Sequence, residues 1–273
     1  MQLSDEIDNV WNQSFGRMQL SFVYMDRGDY AKAIELMEAS ITFGEKAGFM
    51  IPMVLSGALL AWIYGELGDL ERGHDWAARA LAQADEMHPS LRISPLATQG
   101  YLHLLAGEMA AAETAVTEAL DLFSPDNNDP SLLIVPFAAV ELALARQKPD
   151  EALVQLDRYF AILQARSLRI MTGLLYWLKG RALLALQRWE EAEAALAKGK
   201  QVAEKLESRP ALLRVLAARA DLAETRGDEE TAVSLRQQAM NIILTIADDL
   251  DDEALRHSFL QKTAAAFPGN QQH

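Results

Sequence analysis

Apolar positions follow a helical period along most of the chain, in amphipathic stretches separated by short polar turns. One A stretch, Ile51 to Tyr64, is apolar almost all the way round. The turns read Arg27-Gly28-Asp29-Tyr30, Leu67-Gly68-Asp69-Leu70, Ala106-Gly107-Glu108-Met109, Arg146-Gln147-Lys148-Pro149, Leu186-Gln187-Arg188-Trp189 and Arg226-Gly227-Asp228-Glu229. Anchored on the Gly or its equivalent, they fall at 28, 68, 107, 147, 187 and 227, so successive gaps are 40, 39, 40, 40 and 40. A regular period in this range predicts a solenoid of repeated helical hairpins. Such arrays are surfaces made by repetition, which moves the functional question from catalysis to binding.

The turn residues explain the breaks. Glycine reaches the left-handed conformation that closes a helix, and Asp29, Asp69 and Asp228 are suited to cap the next one. Pro149 has the fixed φ of a first helical turn. Five residues past each anchor stands a small side chain, at Ala33, Gly73, Ala112, Ala152, Ala192 and Ala232. Seven before it stand Ser21, Ala61, Gly100, Val140, Gly180 and Ala220. Small residues at matching places on antiparallel helices A and B predict close crossings, with Leu36, Trp76, Leu156 and Leu196 filling the space around them.

These residues resemble the tetratricopeptide repeat. Tyr24, Gly28, Asp29, Tyr30 and Ala33 match its pattern in the first unit, and Ala61, Tyr64, Gly68, Asp69 and Ala80 in the second. Gly100 with Ala112 and Ala119, Gly180 with Trp189 and Ala192, and Gly227, Asp228, Ala232 and Ala239 continue it. The unit is longer than the family's usual length of about 34 residues, which is similar to the MalT-like branch. The stretch from Trp11 to Phe49 and the closing stretch from Ala247 to Leu260 are similar to the C-terminal regions of bacterial AAA-type ATPase and adenylate or guanylate cyclase signalling proteins. The resemblance implies an all-α fold: a right-handed superhelical solenoid of about six hairpins plus a C-terminal capping helix.

The expected layout is residues 1–248 as six repeats and 249–273 as a capping helix with a short disordered tail from Pro268. Helix pairs are predicted at about 5–26 with 30–47, 51–66 with 70–87, 93–105 with 109–123, 131–146 with 150–165, 168–186 with 189–206 and 209–225 with 229–248. A last helix is predicted over about 251–266. The loop Ser124-Pro125-Asp126-Asn127-Asn128-Asp129-Pro130 interrupts the pattern without changing the period, so no domain boundary is expected there.

Composition narrows the function. A formal net charge of −14 over 273 residues opposes nucleic-acid binding, which needs a basic surface. Ile51 to Tyr64 is too short for a membrane span of roughly 20 residues, and Met1 to Asp8 lacks the basic and apolar pattern of a secretory signal. With no cysteine there is no disulfide or thiolate chemistry, and a cytoplasmic setting is expected. The histidines His74, His88, His103, His257 and His273 show no i, i+4 pair, and neither a phosphate-binding GxxxxGK[ST] loop nor a GxSxG elbow is present. The acidic run Asp248-Asp249-Leu250-Asp251-Asp252-Glu253 lacks the glycine of a calcium loop and is expected to cap the last helix. No enzyme activity, metal or cofactor is expected.

The resemblance puts the candidate binding positions on the inner side of each A helix, six and ten residues before the anchor. The first row is Phe22, Trp62, Tyr101, Glu141, Arg181 and Asp221, and the second contributes Phe137 and Trp177. Aromatic anchors beside charged groups suit a peptide groove. Two structural alternatives stand beside this reading: aromatics filling the core between repeats, and an ion-pair ladder of Glu141, Arg181 and Asp221. The expectation is a non-catalytic scaffold that binds a peptide or partner domain, an upstream ATPase or cyclase domain included, on its concave face. The alternative is a sensor of an oligosaccharide-like small molecule. Exposed terminal repeats are candidates for weak self-association.

Overall fold

The computed structural model describes residues 9–124 and 134–266, which carry thirteen α-helices and one short 3-10 turn. In order they are α1 (Val10–Arg27), α2 (Tyr30–Ala47), α3 (Met50–Glu66), α4 (Leu70–Asp85), α5 (Ile93–Leu105), α6 (Met109–Leu122) and α7 (Ile134–Ala145). They continue as α8 (Pro149–Ala165), α9 (Thr172–Ala185), α10 (Trp189–Leu206), α11 (Arg209–Thr225), α12 (Glu229–Asp248) and α13 (Glu253–Ala266). The architecture is an all-α solenoid of six hairpins, α1/α2 to α11/α12, closed by α13. The predicted tail from Pro268, residues 5–8 of the first predicted helix and most of the Pro- and Asn-containing loop lie outside the described residues.

The anchor positions behave alike whatever residue they hold. Gly28, Gly68, Gly107 and Gly227 have φ between 77° and 83°, and Gln147 and Gln187 stand in the same left-handed region at 58°. Wherever the closing bond is seen, the amide one residue further on donates to the carbonyl five residues back. The pairs are Asp69 to Tyr64 (2.9 Å), Glu108 to His103 (2.8 Å), Lys148 to Ala143 (2.9 Å), Arg188 to Leu183 (2.9 Å) and Asp228 to Ala223 (2.9 Å). This bond satisfies a carbonyl that the helix end would leave bare. Asp69 and Asp228 cap the following helices through the amides of Arg72 (3.0 Å) and Thr231 (3.1 Å).

A side chain in the left-handed region costs about 1–2 kcal/mol, against an unfolded-state entropy gain of about 0.4–1 kcal/mol for a residue other than glycine. Gln187→Gly is therefore expected to raise stability by about 0–1.6 kcal/mol, read as a higher urea midpoint. A lower midpoint would show that the turn holds Gln187 without strain.

All twelve small crossing residues are buried. A methyl added to Gly180 would stand 2.4 Å from Leu196 Cδ2, and one on Gly100 would stand 2.5 Å from Val116 Cγ2. Those helices thus touch at a distance that only glycine permits. Ser14, Ser40 and Ser56, on α1, α2 and α3, do the same with polar atoms satisfied. Ser14 Oγ donates to the Ser40 carbonyl (2.8 Å), Ser40 Oγ to the Ser14 carbonyl (2.8 Å), and Ser56 Oγ to Ser40 Oγ (3.2 Å).

The chain forms two compact units, Met1–Met25 with Tyr30–Leu142, and Asp26–Asp29 with Ala143–His273. The division falls inside α7 and not at the Pro- and Asn-containing loop. In the first unit α3 packs on α2, α4 and α5, and α5 on α6. Helix α3 has no polar face because neighbours cover it all round: every residue from Pro52 to Glu66 is buried. In the second unit α9 packs on α8, α10 and α11, α11 on α10 and α12, and α13 on α12.

Two local features differ from expectation. A 3-10 turn, Pro89–Arg92, precedes α5, opened by His88, whose side chain accepts from the Ser90 amide. Helix α9 starts at Thr172 and not near 168, because Ser167 and Met171 both take positive φ and the Met171 amide donates to Asp26 Oδ1 (3.3 Å). At the other end, Asp252 Oδ1 accepts from the amides of Ala254 (2.8 Å) and Leu255 (3.1 Å), so the acidic run caps α13.

Candidate binding face

In the first unit the register brings the aromatic residues together and also hides them. Trp62 on α3 and Tyr101 on α5 hold the same place in successive hairpins, and their rings stack with centroids 4.3 Å apart. Phe137 on α7 meets both edge-on, at 4.8 Å from Trp62 and 5.3 Å from Tyr101. Exposure is 4% for Phe22, 3% for Trp62, 4% for Tyr101 and 0% for Phe137. These four lie in the core, as the first of the two structural alternatives has it, and not in an open aromatic row. An A helix lined with small residues brings its neighbour close enough for large rings to fill the space between hairpins. The Tyr101 hydroxyl donates to Glu66 Oε1 at 2.6 Å, which places the buried Glu66 carboxylate at the edge of the stack.

The first unit also pairs two histidines that are far apart in sequence. His74 on α4 and His103 on α5 have ring centroids 4.9 Å apart, and His103 Nδ1 lies 2.6 Å from Glu108 Oε2. Burial, then the His103 charge, push His74 below the usual histidine range. On α4, Arg79 lies 4.4 Å over Trp76 and Arg72 lies 4.8 Å over Tyr64, beside a shallow hollow of about 420 Å³.

In the second unit the same register positions carry charge and stay accessible. Trp177 on α9 is half-buried and packs against the cluster of Leu196, Val215 and Ala218. Its ring carries two guanidinium groups: Arg181, one turn along α9, at 4.7 Å from the centroid, and Arg214 on α11 at 5.2 Å. Cation–π attraction holds such groups over an indole while their edges keep N–H donors in a planar fork. Asp221 on α11 is exposed and lies 3.7 Å from Arg236 of α12, which also pairs with Glu224. Asp221 is thus engaged within its own hairpin. Glu141, the remaining member of the row, is half-buried on α7 in the first unit.

A second feature of this unit is a hollow of about 520 Å³ lined in part by Arg27, Asp29, Glu207, Arg209 and Asp249. Arg209 organises it, donating to the Arg27 carbonyl (2.9 Å), to Asp249 Oδ2 (2.5 Å) and to Asp29. A guanidinium on the exposed carbonyl end of α1 complements the negative end of that helix. Arg27 pairs in turn with Glu207 at 2.9 Å. Beside this group, burial pushes the Asp26 carboxyl up to about 6, against the opposite pull of the Met171 amide and the Ser208 hydroxyl.

Sequence reading missed Arg214, Glu66, Arg209 and the His74–His103 pair. Arg214 stands thirteen residues before its anchor, beyond the two rows considered, and Glu66 is the one charge ending an apolar helix. His74 and His103 stand six after and four before successive anchors, so the same register contains the signal. Among the described residues no group of three or more His, Cys, Asp and Glu side chains is placed to hold a metal ion. No helix there is long and apolar enough to cross a membrane.

No protein-family model matches the chain, and no curated protein sequence matches it. Similarity lies with solved structures. A Rap protein complexed with competence and sporulation factor has a TM-score of 0.63 at 12% identity, over 87% of this chain and 77% of that one. BtubC from P. vanneervenii has a TM-score of 0.52 at 14% identity, over 90% and 92%. A tetratricopeptide repeat protein from Parabacteroides merdae has a TM-score of 0.49 at 14% identity, over 92% and 99%. With the regular hairpins and their left-handed turns, the fold is an all-α solenoid of helical repeats.

Proposed function

We propose that the protein is a non-catalytic interaction scaffold that binds a peptide, or an extended segment of a partner domain, on the face of its A helices. The observation that carries this reading is the pair of guanidinium groups over the half-buried Trp177. An aromatic surface fixed on packed helices, with polar donors around it, is what a peptide site requires. The positions that serve it in the second unit are Trp177, Arg181 and Asp221. Phe22, Trp62, Tyr101 and Phe137 support the scaffold from within. The Rap protein, which shares the fold, is solved in complex with a separate factor, in keeping with a recognition role.

The finer part of the reading rests on the MalT-like length of the unit and the two chain ends. It places the protein in a bacterial cytoplasm, as a regulatory module of a signalling ATPase or cyclase or as a free-standing relative. An oligosaccharide sensor fits less well, since the rings a sugar would stack on are spent on one another in the first unit.

The test is a random-peptide display selection against the immobilised protein, with selected peptides measured by fluorescence anisotropy. Trp177→Leu and Arg181→Gln are each expected to weaken them by about tenfold or more, the loss of one charge-assisted or aromatic contact. Unchanged affinity in both variants would remove this face from the binding site.

A further inference from the structure

Two histidines from successive hairpins of the first unit meet where α4 packs on α5. The ring centroids of His74 and His103 stand 4.9 Å apart, with the ring planes tilted by 47°. An ion held at about 2.0–2.1 Å from an imidazole nitrogen lies about 3.2 Å from that ring's centroid, so two centroids at this spacing subtend about 100° at one ion, near the tetrahedral angle. Both residues are half-buried, which leaves a small solute a way in from solvent.

The surroundings of the two rings are those of metal ligands. His103 Nδ1 lies 2.6 Å from Glu108 Oε2. A carboxylate accepts, so Nδ1 carries the proton and Nε2 keeps its lone pair. A carboxylate behind a histidine fixes ring and tautomer in this way in metal sites. His74 meets the ring of His103 and makes no hydrogen bond among the described residues, so it too has a lone pair to give. The carboxylates of Glu108 and Asp75 both act on His74, and their charge favours a cation there.

Among the described residues no third His, Cys, Asp or Glu side chain is placed to complete the set. Water, or a donor from another molecule, fills the remaining positions, as in sites that stay open to exchange. Imidazole donors select Cu²⁺, Ni²⁺ and Zn²⁺ over the oxygen-seeking Mg²⁺ and Ca²⁺.

We propose that His74 and His103 together bind one late first-row divalent cation, Cu²⁺ most tightly, bridging α4 and α5 through their imidazoles, with Glu108 orienting the His103 ring. This site does not depend on the peptide-binding reading above.

The test uses the full chain and the metal ions alone, by isothermal titration calorimetry in a non-chelating buffer and by electron paramagnetic resonance of the Cu²⁺ form. One equivalent is expected, tightest for Cu²⁺ and weaker for Ni²⁺ and Zn²⁺, with no binding of Mg²⁺ or Ca²⁺. His74→Ala and His103→Ala are each expected to weaken Cu²⁺ by about a hundredfold, because a single imidazole loses the chelate, and to reduce the spectrum from two coupled nitrogens to one. Glu108→Gln is expected to cost about tenfold while keeping both nitrogens. His257→Gln, at an exposed position on α13, leaves binding unchanged. Circular dichroism confirms that the variants are folded. The absence of saturable Cu²⁺ binding overturns the proposal, as does binding indifferent to both His74→Ala and His103→Ala. So does a single coupled nitrogen in the parent, or Mg²⁺ that binds as tightly as Zn²⁺.

Discussion

Trp62→Ala is expected to destabilise the first unit by about 3–5 kcal/mol, the range for removing a large aromatic from a packed core. Trp62 is 3% exposed, stacks on Tyr101 and receives the edge of Phe137. Deleting the indole opens a void against two rigid rings that hold one another in place and cannot both move to fill it. The Tyr101–Glu66 hydrogen bond borders the same void, so a shift of Tyr101 also weakens a buried hydrogen bond. Trp62→Phe keeps a ring in the stack and is expected to recover a large part of the loss. Urea denaturation followed by circular dichroism checks this. Trp177→Ala provides the contrast, because its half-exposed ring leaves a surface notch and not a cavity. A Trp62→Ala variant that melted with the parent would mean the three rings are not core.

Asp26→Asn is expected to stabilise the second unit at neutral pH. Burial raises the Asp26 carboxyl to about 6 from 3.8, so the folded state holds the proton more tightly than the unfolded chain. The stability contributed by that proton is fully present below the unfolded value and is lost as pH rises through the folded one. Above about pH 7 the ionised Asp26 costs about 3 kcal/mol relative to its neutral form. Asparagine is neutral at every pH, and its carbonyl can still accept from the Met171 amide. The difference between variant and parent should therefore be largest at pH 7 and above, and shrink towards pH 4. Subtracting the two curves at each pH removes the titration of the other carboxylates. A difference that stayed constant with pH would show that Asp26 does not titrate in this range.

Most of the scaffold is legible in the chain because its determinants are local and repeated. Anchors at 28, 68, 107, 147, 187 and 227 mark the left-handed turns even where Gln147 and Gln187 replace glycine, since an unbroken register implies the same geometry. Small residues at fixed distances from those anchors locate the helix crossings. The start of α9 escaped because it depends on the Met171 amide meeting Asp26, 145 residues away in sequence. The partition into two units within α7 escaped too, as it depends on the balance of packing and not on a break in the pattern.

The candidate face was half legible. Register alone made Trp62 and Tyr101 neighbours and put Arg181 one turn from Trp177 on the same helix. It gave no means of telling a buried row from an accessible one, because the periodicity of an A helix is the same for residues that face a neighbouring hairpin and residues that face a ligand.

What the sequence by itself determined is the all-α repeat, its turns, its crossings and the identity of the row that runs along the A helices. Helix period, glycine conformation and side-chain volume act within one hairpin or between adjacent ones. Tertiary structure alone decided that Phe22, Trp62, Tyr101 and Phe137 are core while Trp177 and Arg181 remain accessible, and that Arg214 joins them. Burial, cation stacking and the raised Asp26 carboxyl depend on groups brought together from distant parts of the chain, and their distances exist only once the hairpins are packed.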